Sequence, residues 1–134
     1  LVDAAQRGVR VRILVPGRHI DAPLVRQASR ASWGDLLAAG MEMAEYQPTM
    51  FHLKALVVDE GFVSVGSTNF DDRSFLLNDE ANLNVISPTL AQTMREVFEV
   101  DWAKGRRMEL NTWRQRPWRE KIVEHMAALL RSQL

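Results

Sequence analysis

The stretch from Phe51 to Glu80 reads FHLKALVVDEGFVSVGSTNFDDRSFLLNDE, and its pairing decides both the fold and the candidate site. Two apolar runs, Phe51–Val58 and Phe62–Ser67, flank the turn residues Asp59, Glu60 and Gly61. That is the pattern of a β-hairpin. Side chains alternate faces along a strand, so His52, Lys54, Leu56 and Val58 share one face. Phe51, Leu53, Ala55 and Val57 share the other, and Asp59 leaves with them. If the loop has two residues, Glu60–Gly61, then Asp59 pairs with Phe62. Lys54 then stands opposite Ser67, and His52 opposite Asn69, with Cβ atoms about 5 Å apart. A glycine-bulged three-residue loop is the rival register, and a one-residue slip disperses the set.

Four converging polar groups of these types suit a phosphate. Lysine is a point charge for a phosphate oxygen, and asparagine and serine donate hydrogen bonds. Histidine can act as nucleophile or proton donor near neutral pH. Glu80, at the start of the next strand, could hold the far ring nitrogen and fix the tautomer, as in a triad. A histidine in an apolar strand is more often structural, but lysine is almost never buried unpaired, and Lys54 shares the histidine's face.

The rest of the chain sets bounds. Its 134 residues make one ordinary domain with a single core. Zero net charge argues against a generic duplex-DNA binder, which needs a surplus of Lys and Arg. The absence of cysteine excludes disulfides and thiolate metal sites. His19, His52 and His125 lack metal-ligand spacing, and no metal or cofactor is expected. No apolar run approaches the roughly 20 residues that span a bilayer. The opening LVDAAQRGVRVRILVPG reads as a helix end, stopped at Gly8, feeding a strand. It has the look of a cut through a larger protein.

The spacing predicts one helix from Leu24 to Gly40, weakened by Gly34, with Asp21 as N-cap and Pro23 in its first turn. Strands follow at MEMAEY, in the hairpin, and at EANLNVIS. Pro88 opens a helix to about Lys104, with Leu90, Met94, Val97, Phe98 and Trp102 on one stripe. A last helix runs from Pro117 to about Leu130. Helices alternating with strands, then a hairpin, indicate an α/β fold with three layers, a mixed sheet flanked by helices. Asp71, Asp72 and Arg73 are read as a local ion pair shaping their loop. Arg18 and His19 are read as solvated loop residues, and His125 as a non-catalytic helix residue. The WRQRPWRE segment suits either a membrane interface or packing of its tryptophans against the sheet.

His52, Lys54 and Asp59 form H-x-K-x4-D, followed by G-S-x-N from Gly66 to Asn69. This joint pattern resembles the HKD signature of the phospholipase D superfamily. AAQRGVRVRILVPG, LLAAGMEMAEY, GSTNFDDRSFLLNDEANLNV and the terminal W-x-x-R-P-W-x-x-K-I-x-E are similar to the C-terminal half of bacterial cardiolipin synthases. The resemblance covers nearly the whole chain. It implies a metal-free transfer of a phosphatidyl group, through a phosphohistidine, from one phosphatidylglycerol to another lipid's glycerol. By this resemblance His52 is the catalytic histidine, Lys54 and Asn69 hold phosphate oxygens, Ser67 supports the site and Glu80 orients His52. Asp59 belongs to the motif, but alternation puts it off the catalytic face, so it is read as fixing the turn.

The family uses two such motifs per active site, and this chain has one. In-line displacement puts the attacking and leaving atoms on opposite sides of phosphorus. One imidazole cannot serve both. The partner is therefore expected to be a missing N-terminal HKD half or a second copy in a homodimer. The resemblance also implies phospholipid substrates, a membrane surface in the full-length protein and a place at the cytoplasmic membrane. The alternatives are a dimeric phosphodiesterase or endonuclease of the superfamily, against which the charge counts, and a non-catalytic docking domain.

Overall fold

The structure, a computed structural model, describes residues 1–21, 23–70, 74 and 78–129. The chain forms two compact units, one of residues 1–51 and 104–134, the other of residues 52–103. The α/β class with a mixed sheet holds, and the strands are parted between two three-stranded sheets, one in each unit.

In the first unit, α1 (Val2–Gln6) leads into β1 (Arg12–Pro16). Beyond come α2 (Pro23–Arg30), α3 (Trp33–Ala38) and β2 (Glu42–Tyr46). β1 and β2 pair in parallel, from Arg12 opposite Glu42 to Pro16 opposite Tyr46. The single helix expected up to Gly40 is two helices. Ser29 Oγ donates to the Arg26 carbonyl and Ser32 Oγ to the Ser29 carbonyl, each at 2.9 Å. Serine hydroxyls so placed compete with the helical ladder and bend or end it. Gly34 instead makes room for Trp113, whose ring nitrogen lies 3.4 Å from where a Cβ would stand. The expected cap at Asp21 adjoins Ala22, which lies outside the described residues.

The chain re-enters this unit after residue 103. β6 (Gly105–Met108) pairs antiparallel with β2, placing Arg106 opposite Glu45. α5 (Leu110–Arg114) and α6 (Trp118–Leu129) follow. Trp33, Leu37, Met43 and Trp113 make the buried core, with Ile13, Val15, Leu36, Met108 and Leu110 packed around it. The two tryptophan rings are 5.4 Å apart, and the Arg30 and Arg116 guanidinium groups lie over the Trp113 ring.

The second unit is an antiparallel meander of β3 (Ala55–Val58), β4 (Phe62–Gly66) and β5 (Asn82–Ile86). The long helix α4 (Pro88–Ala103) packs on β3 and β4. Val63 is buried at the centre of this sheet, and Phe98 stacks on Trp102 at 5.5 Å. The predicted stripe on α4 is only partly covered: Trp102 is buried, while Val97 is half-exposed.

The hairpin corrects the expected register. Val58 pairs with Phe62, so the loop is Asp59–Gly61, three residues long. Lys54 accordingly faces Gly66, whose N–H donates to the Lys54 carbonyl at 3.1 Å, and not Ser67. The local cause is Asp59, which takes φ +51°. Aspartate tolerates this left-handed region better than most residues. The turn therefore begins at Asp59 rather than after it.

Candidate active site

β3 starts only at Ala55, so His52 and Lys54 sit on the irregular segment leading into the hairpin. Their side chains meet: Lys54 Nζ contacts His52 Nε2. His52 is exposed and Lys54 half-buried.

The other side of the site comes from the end of β4 and the start of β5. Ser67 Oγ receives the Ala81 N–H at 3.1 Å, and Thr68 N–H donates to Asn82 Oδ1 at 3.3 Å. These bonds require close backbone approach. A Cβ on Gly66 would collide with Asn82 Oδ1 and the Ala81 carbonyl, which explains the glycine of G-S-x-N. Asn69 is exposed just beyond.

Glu80 is the hub of this region. Its Oε1 accepts from Ser74 Oγ at 3.0 Å and from Asn78 Nδ2 at 3.4 Å. The Ser67 hydroxyl first, then Ser74, hold its carboxyl below the usual range; burial opposes them, and Asn78 and the charge of Lys54 add lesser downward pulls. Ser67, Ser74 and Asn78 are thus gathered at Glu80, Lys54 acts on it only through its charge, and His52 contacts Lys54. The direct Glu80–His52 contact expected from triad logic is not formed among the described residues: the ring meets Lys54 instead. Asp59 lies at the far end of β3, in the turn. Buried Ser74 is the residue that sequence reading missed. Nothing in its spacing marks it. Asp71, Asp72 and Arg73 lie outside the described residues. Among the described residues no cluster of three His, Cys, Asp or Glu side chains could hold a metal.

Because its folded pKa is lowered, Glu80 stabilises the folded state above its unfolded pKa. That contribution is lost as pH falls through the lower folded value. A carboxyl NMR titration is expected to place Glu80 below an unstructured glutamate, and Ser74→Ala to move it upward. A midpoint at or above the ordinary value overturns this.

Residues 1–102 match the family described as cardiolipin synthase, PLD-like domain. The chain belongs to that family. Cardiolipin synthase A of Erwinia tasmaniensis is 40% identical to this PLD-like domain over 123 residues, 92% of this chain and 25% of that protein. The minor cardiolipin synthase ClsB of Bacillus subtilis is 32% identical over 130 residues, 97% of this chain and 32% of that protein. The chain thus spans between a quarter and a third of the length of these relatives. A solved structure of a phospholipase D family member, Nuc from Salmonella typhimurium, matches with a TM-score of 0.72 and 28% identity. That match covers 81% of this PLD-like domain and 70% of Nuc.

Proposed function

We propose that this PLD-like domain is one half of a phosphatidyl-transfer site, with His52 as its reacting imidazole. The observation that carries the reading is the contact of the exposed His52 ring with the Lys54 ammonium, in a chain of the cardiolipin synthase family. In the first step one imidazole attacks the phosphorus of a phosphatidylglycerol. The bond to the headgroup glycerol breaks, and that oxygen takes a proton from a second imidazole on the opposite side. In the second step the second imidazole takes the proton of another phosphatidylglycerol's hydroxyl. Its oxygen displaces the first imidazole, leaving cardiolipin and glycerol.

His52 is the acid–base member of this pair in the two-motif arrangement. Lys54 and Asn69 hold phosphate oxygens, and Ser67 supports them. Glu80 acts on the pair through the charge of Lys54, and Asp59 shapes the turn. The second imidazole comes from an N-terminal HKD half or from His52 of a second copy. The full-length protein works at the cytoplasmic membrane.

Turnover of phosphatidylglycerol measured against protein concentration tests this. Activity of the 134-residue chain is expected to be absent or weak where only monomer exists, and to rise steeply with concentration as copies pair. Robust turnover by the monomer overturns the need for a second imidazole. Cleavage of nucleic acid with phosphatidylglycerol untouched moves the reading to the endonucleases of the superfamily.

A further inference from the structure

α6 is held to the first unit by charge, and this fixes which face it turns outward. It packs on α2. Glu124 is fully buried, with Oε1 receiving Arg30 Nε at 2.8 Å and Oε2 receiving Arg116 Nε at 3.1 Å. Glu120 turns the same way, 3.4 Å from Arg30, and Ala127 is buried beside them. The outward face carries Trp118, Ile122, Met126 and Leu129, of which Trp118 is 66% and Leu129 82% exposed. At helical spacing these four form one stripe about 16 Å long. Arg119 lies beside it, its guanidinium over the Trp118 ring at 5.7 Å, and Lys121 borders the other edge.

We infer that this face of α6 docks on the surface of an anionic phospholipid bilayer. Glu124 is buried between Arg30 and Arg116, and Glu120, half-exposed, pairs with Arg30 on the side of the helix away from the stripe, so the charges beside the stripe are Arg119 and Lys121, with His125 along it. That segregation arises in a chain whose net charge is zero. An apolar stripe with a tryptophan at one end and basic flanks is the form of a helix lying in the interface. Anionic headgroups complement Arg119 and Lys121. A second copy placed on the same face would instead set these cations against their equals. Among the described residues no helix is long and apolar enough to cross a membrane, so the contact is one of lying on the surface. The choice of phosphatidylglycerol as probe rests on the proposed function, whereas the docking face rests on α6.

The test is co-sedimentation of the 134-residue chain with vesicles of equal phosphatidylglycerol and phosphatidylcholine, against vesicles of phosphatidylcholine alone. Partition onto the anionic vesicles is expected to be at least tenfold stronger and to weaken with salt. Ile122→Gln with Met126→Gln, both at exposed positions, is expected to keep the circular dichroism spectrum and lose at least tenfold in partition. Arg119→Glu, a second and purely electrostatic variant, is expected to erase the preference for the anionic vesicles. Equal binding to both vesicles, or binding indifferent to these changes, overturns the proposal. So does a dimer in sedimentation velocity that the Ile122/Met126 variant dissociates. Vesicle binding is read without turnover, so a chain that binds but does not transfer defeats only the phosphatidyl-transfer reading.

Discussion

The His52→Ala variant is expected to lose about a thousandfold or more of phosphatidyl transfer, at concentrations where the parent chain turns over. In the proposed mechanism the ring is one of two groups that exchange bonds or protons at phosphorus, and Lys54 cannot replace it because it lacks an accepting atom. The fold should be untouched. His52 is exposed, stands outside the β3–β4 ladder and contacts a flexible lysine. Its unfolding midpoint in urea should therefore match the parent within about 0.5 kcal/mol, as for other surface changes. Lys54→Ala should cost less, since it removes one of several groups on the phosphate oxygens. Retention of a tenth or more of the parent activity by a folded His52→Ala chain would remove the imidazole from the chemistry. The non-catalytic docking domain would then be the better reading.

The motif could be read as a candidate site because its pattern lies in local spacing. Strand alternation found the hairpin, and Pro88 with the apolar stripe found α4. The register was not legible. It turned on whether Asp59 closed a strand or opened a turn, and both are open to an aspartate followed by Glu60 and Gly61. A positive φ at Asp59 decided it. β6 escaped for another reason. Its residues Gly105–Met108 show no alternation of apolar and polar groups. What pairs this strand is Arg106, whose guanidinium lies 2.5 Å from the Glu45 carboxylate. Such a partner, sixty-one positions away, leaves no local signal. The hub at Glu80 was half visible: the carboxylate was read from the motif, but its bond from Ser74, six positions away, follows no pattern in the sequence.

The same long-range charges predict where the fold fails. Glu124→Ala should destabilise the first unit by about 3–5 kcal/mol, since it strips the buried partner from two cations. Arg30 and Arg116 both bond this carboxylate, and both are largely covered. Glu45 is the parallel case, 1% exposed, with Arg26, Arg30 and Arg106 around it. A loss of that size is a large part of the roughly 5–15 kcal/mol that holds a small domain. The exposed pair of Arg10 and Glu42, bonded at 2.6 Å, supplies the contrast: Glu42→Ala should cost under about 1 kcal/mol. Urea unfolding followed by tryptophan fluorescence reads both, because Trp33 and Trp113 lie against Arg30 in the core. Glu124→Gln should fall between the two, since the amide still accepts one bond while the charge is lost. If Glu124→Ala and Glu42→Ala shift the midpoint equally, the buried network contributes no more than a surface pair. The apolar core would then hold α6 in place without it.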